Sequence, residues 1–206
     1  MPFLKERCIL RLLTEELQNS CEPFKCGNDD LDDFFREDAA LYAKHLLGKT
    51  YCYVLKEQPQ KIVCAFTISN DSVKVDDLPN NRRKKVNARI PRAKQMRRYP
   101  AVLIGRLGVN KEFAHEGIGT EVIEMLKWWF VEPNNKTGCR YIAVDAYNDK
   151  TILNFYCKRN GFKPLFFSDE QEAVSSNKSL PLNTRYLYFD LIDIASLSSR
   201  IANQTQ

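Results

Sequence analysis

The chain has 206 residues, of which 44% are hydrophobic and 11% aromatic, and this composition favours a folded globular domain over a disordered or fibrous protein. No apolar run approaches the roughly 18 residues that a membrane span requires. Charges at Lys5, Glu6 and Arg7 interrupt the apolar stretch that a secretion signal would need. We therefore expect one domain, residues 1–206, in the cytoplasm and without a membrane partner.

The cysteine pattern argues against two kinds of stabilising site. There are 7 cysteines, an odd number, and they are scattered without a C-x-x-C pair. The only histidines are His45 and His115, far apart in the sequence. This pattern favours reduced thiols over a disulfide framework, and it predicts no metal site.

The net charge of +5 is concentrated in one segment, residues 82–98, which we call the basic segment. It contains nine basic residues and no acidic one, so the rest of the chain is net negative. A local block of this kind favours an anionic partner such as RNA, although a solvated loop has the same composition. The nine residues are Arg82, Arg83, Lys84, Lys85, Arg89, Arg92, Lys94, Arg97 and Arg98.

The first half of the chain predicts a strand, a helix and a hairpin. Residues 8–13 have the composition of a strand, and Asn28 or Asp29 can cap a helix that continues to about Leu46. Gly48 is placed to end that helix. Two short strands, 51–56 and 62–68, are separated by a Gln-Pro-Gln turn and form the predicted hairpin. The basic segment then predicts a loop with a short helix.

The second half predicts strands that alternate with helices. Residues 101–109 form the most apolar strand, 119–131 carry helical spacing, and 141–147 form another strand. A helix over about 150–158 ends at Gly161. Final strands are expected near 162–167 and 186–191, with a long polar loop over 168–183 between them. The order predicts an α/β (α+β) fold, a mixed sheet with helices on both faces.

One turn in this pattern has the chemistry of a phosphate site. The strand that ends at Val109 leads through a loop into His115-Glu116-Gly117-Ile118-Gly119-Thr120 and then into a helix. The first amides of a helix lack intrahelical acceptors and carry partial positive charge, so they bind anions without a basic side chain. The glycines let a phosphate approach the backbone. A tight packing turn is the alternative for the tripeptide alone, and the P-loop and Rossmann patterns are both missing.

Arg106-Leu107-Gly108-Val109, Gly117-Ile118-Gly119-Thr120, Phe155-Tyr156 and Gly161-Phe162 occur in an order and spacing that resemble the GNAT superfamily of N-acetyltransferases. The resemblance extends over about residues 24–189. It implies a mostly antiparallel sheet, splayed between two central parallel strands, and acetyl-coenzyme A as co-substrate. It also implies a set of cofactor-binding residues: Leu107, Gly108, Val109, Ala114, His115, Glu116, Gly117, Ile118, Gly119 and Thr120. Ala114 departs from the family, which usually has Gln or Arg there.

The resemblance also implies a catalytic tyrosine that protonates the departing thiolate. The family places it four residues before the Gly-Phe pair, where this chain has Cys157, while Tyr156 lies five residues before. A one-residue extension of the helix end would restore Tyr156 to that role, and a buried packing role is the alternative. Arg106 and Asp145 are candidate substrate contacts. Asp145 is also the only nearby candidate for a general base, with a salt-bridge or strand-end role as its alternative, and Arg106 is equally compatible with an ion pair to a carboxylate at the sheet edge. The strand 101–109 has no carboxylate to act as a base, which favours an α-amine acceptor.

Within the superfamily, Phe24-Lys25-Cys26-Gly27, Leu31-Asp32-Asp33-Phe34-Phe35 and the basic segment resemble the acetyltransferase toxins of bacterial toxin–antitoxin pairs. These acetylate the α-amine of aminoacyl-tRNA. The resemblance therefore implies tRNA bound through the basic segment, and an antitoxin or a homodimer as a further partner. A small amine or a protein amine remains an alternative acceptor. So do a non-catalytic coenzyme A- or RNA-binding pseudoenzyme and a basic RNA-binding protein.

Overall fold

A computed structural model describes residues 2–76, 78–92 and 95–197. The chain divides into two compact units. The first contains the residues up to Ser69 together with Ile104–Leu126, and the second contains Asn70–Leu103 and the described residues from Lys127 onward. The single domain expected from the sequence stays a prediction.

The described residues form a seven-stranded sheet in the order β1-β2-β3-β4-β5-β7-β6. The pairs β1–β2, β2–β3, β5–β7 and β6–β7 are antiparallel, and one pair of the sheet is parallel. The predicted mixed, mostly antiparallel sheet is therefore confirmed. The strands are β1 Cys8–Leu12, β2 Lys49–Leu55, β3 Ile62–Lys74, β4 Arg98–Val109, β5 Tyr141–Tyr147, β6 Lys163–Pro164 and β7 Thr184–Asp190.

The first unit packs helices against β1–β3. Its helices are α1 Phe3–Arg7, α2 Glu15–Ser20, α3 Asp29–Asp33 and α4 Ala39–Lys44, and a π-helical turn, Phe34–Asp38, joins α3 to α4. Asn28 caps α3, as predicted, because its side chain accepts a hydrogen bond from the Leu31 amide. Phe34 and Phe35 enter the core with Cys52, Val54 and Ile62.

The predicted role of Gly48 is wrong. The helix ends at Lys44, and Leu46 rather than Gly48 takes the left-handed conformation, with φ 58°. A β-carbon on Gly48 would lie 3.1 Å from the Ile68 carbonyl oxygen, so glycine is needed there for close approach to β3.

The second unit contains α5 Asn80–Asn87, α7 Lys150–Asn154 and α8 Asp169–Ser176, and residues 192–197 are also helical. Its core is rich in aromatic side chains, including Tyr99, Tyr141 and Tyr188. The helix α6, Ile118–Val131, follows β4 in the chain. No helix in the described part of the chain is long and apolar enough to cross a membrane.

Two predictions for the end of the chain are wrong. The strand expected over 162–167 contains only Lys163–Pro164, because Pro164 lacks an amide hydrogen and the chain then turns towards Ser168. The loop expected over 168–183 contains α8. The Ser168 hydroxyl caps that helix by accepting a hydrogen bond from the Gln171 amide, and Asn177 ends it in the left-handed conformation.

Candidate active site

The turn between β4 and α6 is anchored where the strand ends. The Asn110 amide donates to the Val63 carbonyl at 2.8 Å, and its side-chain amide donates to the Ile62 carbonyl at 3.0 Å. A single turn of 3₁₀-helix, Lys111–Phe113, follows. His115 and Gly117 then have positive φ, 68° and 80°, which reverses the chain into α6. This stretch, residues 114–120, is called the 114–120 turn below.

The backbone amides of this turn lack acceptors in the described part of the chain, and those of His115 to Gly117 belong to exposed residues, whereas Ile118 is buried. Five consecutive amides, His115 to Gly119, have no hydrogen-bond acceptor among residues 2–76, 78–92 and 95–197. The next amides, Thr120 and Glu121, donate to the Gly117 carbonyl and begin the helix. Residues 114–117 are solvent-exposed. Successive free amides at the N-terminus of a helix are an anion site, since aligned peptide dipoles add partial positive charge there.

Gly117 is needed for the shape of the turn. Its φ of 80° lies in the left-handed region, which other residues rarely adopt. A β-carbon built there would meet no described atom within 4 Å, so the space above the backbone is open. A ligand can therefore approach these amides directly.

The strand β4 presents the remaining predicted cofactor residues and Arg106. Leu107 and Val109 are half-buried, and Gly108 is buried. The Arg106 guanidinium lies over the Phe34 ring, 4.9 Å from its centroid, and donates to the Gly105 carbonyl at 2.9 Å. Its Nε atom is buried and lacks a partner among the described atoms. Arg106 makes no ion pair with a described carboxylate, so the pairing considered as an alternative is not observed.

Tyr156 lies in a π-helical turn, Phe155–Arg159, which continues α7. A π-helical turn holds about one more residue than an α-helical turn, and the catalytic role of Tyr156 stays a prediction. The Phe162 amide donates to the Tyr156 carbonyl at 3.0 Å, which ties the turn to the Gly-Phe pair.

The Tyr156 ring is buried against Phe155 and Phe162, with centroid distances of 4.9 and 5.4 Å. Burial raises the pKa of its phenol above the ordinary value. Its hydroxyl has no hydrogen-bond partner among the residues that the structure describes. The neighbouring Cys157 is half-buried, and burial raises the pKa of its thiol as well.

Asp145 lies on β5, directly opposite Tyr186 on β7, and it is exposed to solvent on one side while protein atoms cover part of its carboxyl. Burial of the carboxyl raises its pKa; Lys178 opposes this effect and Asp71 adds to it. The Tyr186 hydroxyl donates to Asp71 at 2.8 Å. Sequence reasoning missed Asp71, because no local signal connects a residue late in β3 with Asp145.

The basic segment divides into residues that hold the fold and residues that face solvent. Arg82 is buried and donates to the carbonyls of Leu165 and Pro164. Arg83 donates to three carbonyls of residues 75–78, and Arg89 pairs with Asp193 at 2.6 Å. Lys94 lies outside the described residues. The members that are exposed and form no ion pair with a described residue are Lys84, Lys85, Arg92, Arg97 and Arg98.

The residues on which the site prediction depends fall in both units. Leu107 to Thr120 lie in the first unit, and Asp145 and Tyr156 lie in the second. The described part of the chain has no group of three or more His, Cys, Asp or Glu side chains arranged to hold a metal ion.

No family model matches the sequence. A tRNA-acetylating toxin of Mycobacterium tuberculosis (strain ATCC 25618 / H37Rv) is 25% identical over 127 residues, which is 62% of this chain and 69% of the toxin. Among solved structures, AtaT complexed with acetyl-methionyl-tRNAfMet is similar with a TM-score of 0.68 and 18% identity, covering 92% of this chain and 98% of that one.

A second solved structure is a tyrosine-to-phenylalanine variant of the AtaT toxin bound to acetyl-CoA and to the C-terminus of the antitoxin AtaR. Its TM-score is 0.61 at 18% identity, covering 93% of this chain and 98% of that one. These relatives agree with the predicted enzyme class and co-substrate. The predicted resemblance is confirmed: this chain has the fold of the GNAT acetyltransferases and is similar in sequence and structure to their toxin branch.

Proposed function

We propose that this protein is an acetyl-coenzyme A-dependent N-acetyltransferase and that its acceptor is the α-amine of an aminoacyl-tRNA. The observation that carries the proposal is the row of five acceptor-free amides at the start of α6. A diphosphate needs several hydrogen-bond donors and positive potential, and the 114–120 turn supplies both without a basic side chain. Ala114, where the family usually has a longer side chain, leaves this backbone site intact.

Bound acetyl-coenzyme A supplies an activated thioester for attack by an amine. In this proposal His115 to Gly119 hold the diphosphate, and the Thr120 hydroxyl adds a donor. The backbone of Leu107 and Val109 binds the pantetheine arm as an added strand would be bound. The Val109 amide polarises the thioester carbonyl.

Tyr156 provides the proton for the departing sulfur. Burial holds its hydroxyl in the protonated form, which is the form that a donor needs. The hydroxyl makes no hydrogen bond to a described residue, so a ligand atom would not have to displace one.

The acceptor follows from the missing base and from the charges. An α-amine has an ordinary pKa of about 7.7–8.0, so it is substantially neutral at cellular pH and can react without a strong base. Asp145, with Asp71 near it, offers negative charge to the acceptor amine. The exposed cations of the basic segment bind phosphates without reading sequence. The relatives named for tRNA acetylation and for bound acetyl-methionyl-tRNAfMet support the same acceptor.

Mass spectrometry tests this proposal directly. The protein is incubated with isotope-labelled acetyl-coenzyme A and a mixture of aminoacyl-tRNAs, a lysine-rich peptide and a polyamine. After nuclease digestion, the label is expected as N-acetyl-aminoacyl-adenosine. Label found only on the peptide or the polyamine would refute the acceptor but keep the enzyme class.

A coenzyme A-binding protein without turnover is a second candidate, because the Tyr156 side chain is largely buried, as a packing residue would be. That protein would bind acetyl-coenzyme A and label none of the acceptors. The toxin AtaT is bound to the C-terminus of its antitoxin AtaR in one structure. We extend the proposal to an antitoxin partner, which co-expression with the product of the adjacent reading frame would test by co-purification.

A further inference from the structure

An aromatic ring lies exposed beside the basic segment. Phe167 follows β6, and 49% of its surface is accessible to solvent. The Arg82 guanidinium carbon lies 4.5 Å from the ring centroid, and the Lys85 Nζ atom lies 5.6 Å from it. Arg82 and Lys85 are three residues apart on α5 and therefore project from the same side of that helix. Both cations thus reach the ring from α5, while about half of the Phe167 surface stays exposed.

The cation behind the ring is fixed in place. Arg82 is buried, and its guanidinium donates to the carbonyls of Leu165 (2.8 Å) and Pro164, which come just before Phe167 in the chain. The Phe167 amide donates to the Gln171 side chain at 3.4 Å. The ring is therefore held on both its backbone and its cationic side, so little conformational freedom is lost when a planar group stacks on it.

The exposed ring also borders an opening of about 620 Å³. Leu180 and Pro181 form an apolar part of its wall, and Asp169 at its edge is paired with Arg185. Glu170 adds a negative charge to the same wall. A polyanion would therefore place its phosphates on the α5 side of the ring and its uncharged, planar parts over Phe167.

The exposed cations of the basic segment indicate the kind of partner. Lys84, Arg92, Arg97 and Arg98 are exposed, and they form no ion pair with any residue in the described part of the chain. Exposed cations in the same segment as the two that contact the ring fit single-stranded nucleic acid, since phosphates can meet the cations while bases stack on the ring. An acidic peptide would use the cations but has no base to stack.

We infer that Phe167, backed by Arg82 and Lys85, is a stacking platform for an unpaired base of the RNA that the protein acetylates. The inference rests on the proposed RNA acceptor. It assigns base stacking to one ring and phosphate contacts to the exposed cations of the basic segment. Because every base has a π-face, the platform adds affinity for unpaired RNA without selecting a sequence.

The test measures binding of a fluorescent oligoadenylate to the full chain by anisotropy over a range of salt concentrations. Phe167→Ala should weaken binding about 5- to 150-fold, because stacking of one base contributes on the order of 1–3 kcal/mol. Phe167→Trp should retain or increase the affinity. The salt dependence should be unchanged in both variants, whereas Lys84→Ala should reduce its slope by about 1.

Three results would overturn the inference. The first is that Phe167→Ala binds oligoadenylate with wild-type affinity. The second is that Phe167→Ala loses the same affinity for inorganic polyphosphate, which has no bases, as it loses for oligoadenylate. The third is that polyglutamate competes with the labelled oligoadenylate as well as unlabelled oligoadenylate does. A melting curve of Phe167→Ala separates unfolding from lost stacking, and Phe167→Trp supplies a second variant if the alanine variant does not fold. Failure of the proposed function is distinguishable, because wild-type protein would then bind oligoadenylate but acetylate no aminoacyl-tRNA.

Discussion

Gly117 and Gly27 form a matched pair that tests the anion site. Both have positive φ, 80° and 86°, and a β-carbon at either position would meet no described atom within 4 Å. Glutamate at either position should therefore cost about 1–2 kcal/mol for the left-handed backbone and produce no steric clash. For a chain of this size that corresponds to a melting temperature about 2–8 °C lower in each variant.

The two variants should differ only when acetyl-coenzyme A is added. At a concentration 100 times the dissociation constant, a ligand that binds only the native state stabilises it by about 2.7 kcal/mol, or about 5–11 °C. Wild type and Gly27→Glu should show this increase. Gly117→Glu should not, because its carboxylate lies among the five free amides and repels the diphosphate.

Differential scanning fluorimetry with and without acetyl-coenzyme A measures both effects, and coenzyme A without its acetyl group should give a comparable shift. An equal cofactor shift in Gly117→Glu and Gly27→Glu would refute the assignment of the 114–120 turn. If saturating acetyl-coenzyme A does not shift the melting curve of the wild-type protein, cofactor binding itself is refuted.

Three further substitutions test the rest of the site and the fold. Tyr156→Phe should lower kcat about 10²–10⁴-fold and leave KM for acetyl-coenzyme A unchanged in steady-state kinetics; a wild-type kcat would exclude the proposed acid. Asp145→Asn should raise KM for the acceptor. It should also raise the melting temperature at pH 7–8. The pKa of the Asp145 carboxyl is higher in the folded than in the unfolded chain, so its ionised form destabilises the folded state. The gain in melting temperature should vanish as the pH falls and the wild-type carboxyl becomes protonated. Glu172→Ala removes a carboxylate that is 1% exposed and accepts a hydrogen bond from Arg185 at 2.7 Å. It should lower the free energy of unfolding by about 3 kcal/mol and the melting temperature by about 6–12 °C, and Glu172→Gln should lower both by less.

The segment that runs from β4 through the 114–120 turn to α6 was predictable, because residues close together in the sequence determine its structure. An apolar run of residues 101–109 specifies a buried strand, and glycine at 117 specifies a left-handed turn. The buried side chains of α6 (Ile118, Val122, Ile123 and Leu126) follow the helical period that the sequence displays. Each of these features depends on residues close together in the chain.

The helix α8 was missed although a local signal existed. Its polar composition suggested a loop, but Ser168 followed three residues later by Gln171, with Asp169 and Glu170 between them, is a pattern typical of a helix N-terminus. The helix is stabilised by the Arg185–Glu172 pair, and that pairing joins residues that only the folded chain brings together.

The composition of the basic segment does not show which of its cations are engaged by the protein itself. Nine cations were counted in the sequence, but Arg82, Arg83 and Arg89 are engaged with carbonyls or carboxylates of the protein. No sequence pattern distinguishes them from Lys84 and Lys85, because their partners lie in β6, residues 75–78 and the stretch that follows β7.

In the proposed reaction, the choice of acceptor depends on the free energy needed to deprotonate the amine. The part of β4 that belongs to the first unit, Ile104–Val109, contains no carboxylate that could act as a base and offset this cost. A lysine amine, with an ordinary pKa of about 10.4, lies about 2.5 units above an α-amine. Neutralising it at cellular pH costs roughly 3.4 kcal/mol more, so its reactive fraction is smaller by a factor of a few hundred. A strong base could offset this cost, but Asp145 and Asp71 act in the opposite direction, since a nearby carboxylate stabilises the charged ammonium. In the proposed site these carboxylates would favour binding of a cationic amine, and only an amine of low intrinsic pKa would bind there and still react.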